Sequence, residues 1–139
     1  MTRMTLVSRA PDASSVSGTR RVTLWALRIV MAVVFVAGGA MKLGGTHAMV
    51  ALFDTVGIGQ WLRFAVGGCE VAGGLLLLVP RAAGAAALGL IAVVIAAGMT
   101  QVVFLRQPPL MPLACFLVLA IIAWAERDAT RSLLGGGKE

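Results

Sequence analysis

Residues 82–105 read AAGAAALGLIAVVIAAGMTQVVFL. Nothing in this stretch carries a charge, and it exceeds the roughly 20 residues an α-helix needs to cross the hydrocarbon core of a bilayer. It is almost purely Ala, Gly, Val, Leu and Ile, which predicts a membrane-spanning helix. On its N-terminal side, Pro80 and Arg81 form a very short turn out of another apolar run, 64–79, which contains Glu70. On its C-terminal side, Arg106, Gln107, Pro108 and Pro109 break it, and a further run, 110–125, ends at Glu126, Arg127 and Asp128. Upstream, 22–41 is a fourth run, interrupted only by Arg28.

The composition agrees. The chain has 139 residues, of which 59% are hydrophobic and 13% charged. An ordinary soluble domain is about 45–50% apolar and about 25% charged. There are too few polar groups to cover a water-soluble globule, and a disordered chain is excluded for the same reason. Two cysteines, Cys69 and Cys115, are too few for a secreted disulfide scaffold. The expected fold is all-α: an integral membrane four-helix bundle spanning 22–126. Residues 1–21 read as a disordered cytoplasmic tail and 127–139 as a second cytoplasmic tail.

The formal net charge of +6 does not point to nucleic acid, because the basic residues flank hydrophobic runs and form no patch. With four spans, the N-terminus, the 80–81 turn and the C-terminus share one side. That side carries Arg3, Arg9, Arg20, Arg21, Arg28, Arg81, Arg127, Arg131 and Lys138; the other carries Lys42, Arg63 and Arg106. Nine against three places both termini in the cytoplasm. Trp25, Trp61 and Trp124 fall at predicted helix ends, where indole rings favour the headgroup region. The one sizeable loop, 44–62, contains Met49, Leu52, Phe53 and Val56 at i, i+3, i+4, i+7. That spacing predicts a short amphipathic helix on the outer surface, turned into the next span by Gly57 and Gly59.

Glu70 is the most informative single residue. It lies well inside an apolar span, where an unpaired carboxylate facing lipid is costly, so it should face the bundle interior and hold a partner. Lys42, at the outer end of the first span, is the natural one. The bland reading is a structural ion pair; the functional one is a proton-relay or ligand-binding carboxylate. The same topology puts Lys42, Cys69, Glu70, Thr100, Gln101 and Cys115 at outer depth, with His47 just above them, so one polar cluster could satisfy them all. Cys69 and Cys115 lie at equal depth and are candidates for a redox pair; the plainer reading is two small core residues. Arg28 either snorkels to the headgroups or pairs with Glu126 or Asp128. A lone His47 does not make a metal site, so no metal is expected.

These residues resemble the DoxX family of small bacterial membrane proteins over about 24–125. The match runs through Leu27-Arg28, Phe35, Ala37-Gly38-Gly39-Ala40-Met41-Lys42-Leu43, Phe53 and Gly57. It continues through Gly67-Gly68-Cys69-Glu70-Val71-Ala72-Gly73-Gly74 to Leu77-Leu78-Val79-Pro80-Arg81. The Gly-rich Glu helix coupled to an earlier Gly-x-x-Lys is its most specific part. The resemblance implies a four-helix bundle of the bacterial inner membrane. It also implies an accessory, non-catalytic subunit of a redox or thiol/oxidative-stress system, with quinone as a candidate ligand and a redox protein or a second copy as candidate partners besides the lipid bilayer. Arg28, Lys42 and Glu70 match the family's polar pattern. Two other functions compete: an assembly factor or scaffold for other membrane proteins, and an oligomeric small-solute transporter.

Overall fold

A computed structural model describes residues 13–135. Six helices follow in order: α1 (Ala13–Leu43), α2 (His47–Val56), α3 (Gln60–Leu76), α4 (Ala83–Val103), α5 (Leu110–Ala125) and α6 (Arg127–Gly135). No strand occurs among the described residues. Helix α1 packs on α3, α3 on α4, α4 on α5 and α5 back on α1, closing a ring of four. Neighbours run antiparallel: Gly39 meets Gly67 while Gly74 meets Ala32, and Gly98 meets Pro112 while Gly84 meets Glu126.

Helices α1 and α4 are each long and apolar enough to cross a membrane. Helices α3 and α5 have 17 and 16 residues, about 25 Å of helix each. Each joins a shorter helix across a bend, of 118° at α2–α3 and 64° at α5–α6, and the spans number four if each bent pair counts as one. The chain is a helical membrane bundle.

The core is a single cluster that includes Met31, Phe35, Leu77, Leu90, Leu119 and Ile122. The outward surface is equally apolar: Val33, Ile29, Leu113 and Leu117 are all exposed. In water such a surface would drive association. In lipid it matches its solvent, and helices then associate by close packing of small residues. The α1–α3 contact works this way, because a Cβ placed on Gly39 would lie 2.6 Å from the Gly67 carbonyl oxygen.

Several boundaries differ from the sequence reading. Residues 1–12 of the expected N-terminal tail lie outside the described residues, but from Ala13 the chain is already helical and continuous with α1. Helix α3 starts at Gln60, four residues before the expected span, because Gly59 at φ 111° completes the turn out of α2. It ends at Leu76, and the expected two-residue turn is a chain of tight turns over 77–82, including Leu78 N–H to Leu75 and Ala82 N–H to Val79. The second expected tail, 127–139, contains α6. Asp128 in its first turn complements the helix dipole, and the buried Thr130 seats against Gly84 of α4, where there is no side chain to obstruct it. Residues 136–139 lie outside the described residues.

Helix α2 buries the face its spacing marks: Phe53 is buried and Met49, Leu52 and Val56 are half-buried. Gly57 ends it in the left-handed conformation, φ 76°, its N–H donating to the Phe53 carbonyl.

Candidate functional site

The polar groups gather at the end of the bundle where α1 finishes and α3 begins. Lys42 occupies the last turn of α1. Its Nζ donates to Glu70 Oε2 at 2.8 Å. Both groups lie beside Gly38, where a Cβ would sit in ordinary contact, 3.6 Å from Glu70 Oε2 and 3.9 Å from Lys42 Nζ. The close approach of Gly39 and Gly67 brings α3 near enough for the two side chains to meet. Glu70 is buried and Lys42 half-buried, so each charge depends on the other.

Arg63, which the sequence reading counted only as a topological charge, is a central member of this site. It is buried on the first turns of α3. It donates to the Lys42 carbonyl oxygen and, from Nε, to Gln60 Oε1 at 2.6 Å. Its guanidinium lies 4.3 Å from the Phe64 ring centroid. The loop lets it in at Gly45, φ 66°, where a Cβ would stand 3.3 Å from Nη1. Gln60 in turn donates to the Val50 carbonyl and to Asp54 Oδ1, at 3.1 and 2.6 Å, tying α2 to α3. Arg63 therefore clamps the end of α1, and with it the root of the Lys42 side chain. Its main partner is a main-chain carbonyl, which leaves no mark in sequence.

The remaining candidates do not join one cluster. His47 is exposed at the start of α2. Cys69 is an exposed free thiol on α3, while Cys115 is a buried free thiol on α5. Thr100 donates back to the Ala96 carbonyl of its own helix, at 2.9 Å. Gln101 is half-buried near the end of α4, and its buried Oε1 accepts no hydrogen bond. Among the described residues no three His, Cys, Asp or Glu side chains come together to hold a metal ion.

At the opposite end, Arg28 pairs with Glu126, tying α1 to the α5–α6 junction. Arg28 is buried, lies 5.4 Å from the Trp25 ring centroid, and leaves its Nε without a partner. Among the described residues the bundle thus carries one largely buried ion pair near each end. The Arg28 pair closes a helix junction, whereas the Lys42 pair lies on the half of the molecule that also holds Gln101 and Cys115.

Residues 26–125 match the family model described as the DoxX-like family. No curated protein and no solved structure matches the chain.

Proposed function

Since the chain belongs to the DoxX-like family, we propose that it acts as an accessory, non-catalytic subunit of a membrane redox or thiol/oxidative-stress system, offering Lys42 and Glu70 to a quinone headgroup or a partner enzyme. The observation that carries this reading is the buried Lys42–Glu70 pair, at 2.8 Å. An ammonium has three N–H donors, and a carbonyl ligand such as a quinone could accept one that Glu70 does not use. Gln101 Oε1, on the same half of the bundle, supplies an acceptor for a hydroxyl or N–H donor. The excess of basic residues beside the N-terminus, the 77–82 turns and α6 supports a topology with both termini in the cytoplasm, and the family resemblance supports a bacterial inner membrane.

The test is complementation of cells lacking the gene, combined with native purification and mass spectrometry of retained proteins, lipids and quinones. Glu70→Gln and Lys42→Ala are expected to lower tolerance to oxidants and thiol stress and to lose the retained molecule. Wild-type tolerance with both variants, each present at normal level, would remove the redox reading.

A second reading, a scaffold for other membrane proteins, draws on Gly68 of α3 and Gly89 of α4. A Cβ at either would meet nothing within 4 Å, so both leave notches into which another transmembrane helix could pack. Stable co-purification of a protein that survives Glu70→Gln would favour this reading.

A further inference from the structure

Between the first turns of α1 and the end of α5, at the Arg28–Glu126 end of the bundle, lies a groove of about 540 Å³. Its walls are apolar and come from Leu24 and Leu27 on α1 and Ile121 and Trp124 on α5. Its rim is basic. Arg20 lines it and reaches across to the Ala125 carbonyl, Nη2 to oxygen 3.4 Å. Arg127, just beyond the groove lining, stacks on Trp124, 4.7 Å from the ring centroid.

The depth of this rim is fixed by α1. Its apolar span, Ser17–Leu43, has 27 residues, about 40 Å of helix against roughly 30 Å of hydrocarbon. Its first turns therefore lie at headgroup level, with Arg20 among them and Leu24 and Leu27 leading downward into the acyl region. The charges do not cancel. Glu126 is engaged by Arg28, and Asp128, fully on the surface, stands 3.9 Å from Arg127. Arg20 and Arg21 have no acidic neighbour among the ion pairs of the described residues.

We propose that this groove is a binding site for one anionic phospholipid of the surrounding leaflet. Its phosphate is held between Arg20 and Arg127, and an acyl chain lies along Leu24, Leu27 and Ile121 against Trp124. A basic rim over an apolar cleft between membrane helices is the chemistry that selects an anionic headgroup from the bulk lipid. An exposed Trp beside an Arg suits that depth, since the indole favours the interface. The site is independent of the Lys42–Glu70 pair at the other end.

Native mass spectrometry of the full chain, released from detergent with equimolar dioleoylphosphatidylglycerol and dioleoylphosphatidylcholine, tests this directly. One phosphatidylglycerol should be retained in preference. Each of Arg20→Gln and Arg127→Gln should weaken retention about fivefold, and the pair about thirtyfold, at about 1 kcal/mol per basic side chain. Ile121→Trp keeps both charges but fills the groove, and should also abolish retention. Arg81→Gln removes an equally exposed charge from the neighbouring 77–82 turns and should change nothing. Circular dichroism confirms that each variant is folded. Equal retention of the two lipids, an Arg81→Gln loss as large as that of Arg20→Gln, or full retention by Ile121→Trp would each overturn the proposal.

Discussion

Gly39→Ala is the sharpest probe of how the two charged side chains are brought together. A Cβ at position 39 would stand 2.6 Å from the Gly67 carbonyl oxygen, 2.7 Å from Val71 Cγ2 and 3.0 Å from the Val71 nitrogen. Two of those three atoms are backbone, so no rotamer change relieves the clash and α1 must move off α3. Restoring an ordinary 3.4 Å contact requires about 0.8 Å of separation. The same shift would stretch the Lys42–Glu70 contact from 2.8 Å to about 3.6 Å, beyond hydrogen-bonding distance. Overpacking of this kind costs about 1–3 kcal/mol, and a backbone clash belongs at the upper end. Replacing Gly by Ala inside a helix returns about 1 kcal/mol, leaving a net loss of about 2 kcal/mol. Gly68→Ala, on the facing helix with nothing within 4 Å, should show only the gain. The two variants should therefore differ by about 3 kcal/mol, more than a hundredfold in the opening equilibrium. Buried Cys115 reports that opening: in a Cys69→Ser background, its rate of labelling by a maleimide dye in mild detergent follows the open population. If Gly39→Ala labels no faster than Gly68→Ala, the close approach of α1 and α3 is not what holds the pair.

Three further outcomes are expected. Glu70→Met strands a half-buried ammonium and should cost about 3 kcal/mol, while adding Lys42→Met should recover most of the loss; strictly additive effects in the same labelling assay would contradict the pairing. Arg63→Lys keeps the charge but cannot span Gln60 Oε1 and the Lys42 carbonyl together, so it should weaken the clamp by about 1–2 kcal/mol. Hydrogen exchange at residues 44–46 should speed up accordingly, and unchanged protection there would refute the clamp. Gln101→Leu removes an oxygen that accepts nothing and should leave stability unchanged or raise it by about 1 kcal/mol; a clear loss in thermal stability would mean that the oxygen has a partner in the membrane.

What could be read in advance follows from what each feature depends on. Helix α4 needs only its uncharged composition, and α2 only the spacing of Met49, Leu52, Phe53 and Val56. The meeting of Lys42 and Glu70 follows from depth, because two opposite charges at one level of an apolar bundle have few other partners. Arg28 with Glu126 was one of several allowed options, and the packing of α1 against α5 at the α5–α6 bend selects it. The role of Arg63 was hidden because its acceptor is a peptide carbonyl, and every residue has one. The end of α3 was hidden because Leu75 to Leu78 look alike on both sides of the break. Helix α6 was hidden by its glycine-rich neighbourhood: its anchor is the space beside Gly84, which exists only once α4 is packed. The helical start of α1 at Ala13 lies in Ser- and Thr-rich sequence, whose weak helix preference argues the other way.

The unequal helix lengths carry a consequence for the membrane itself. The hydrocarbon core is roughly 30 Å thick; α1 overspans it into the headgroups, yet around the corner α3 and α5, at about 25 Å each, fall short of it. Lipid cannot match both, so its thickness must change by several ångströms within the circumference of one small protein. Mismatch of this kind costs a fraction of a kcal/mol per ångström and is relieved when two short faces share one thinned patch. The molecule therefore has a preferred side from which to be approached, and a preference among membranes of different thickness, before any specific contact is made.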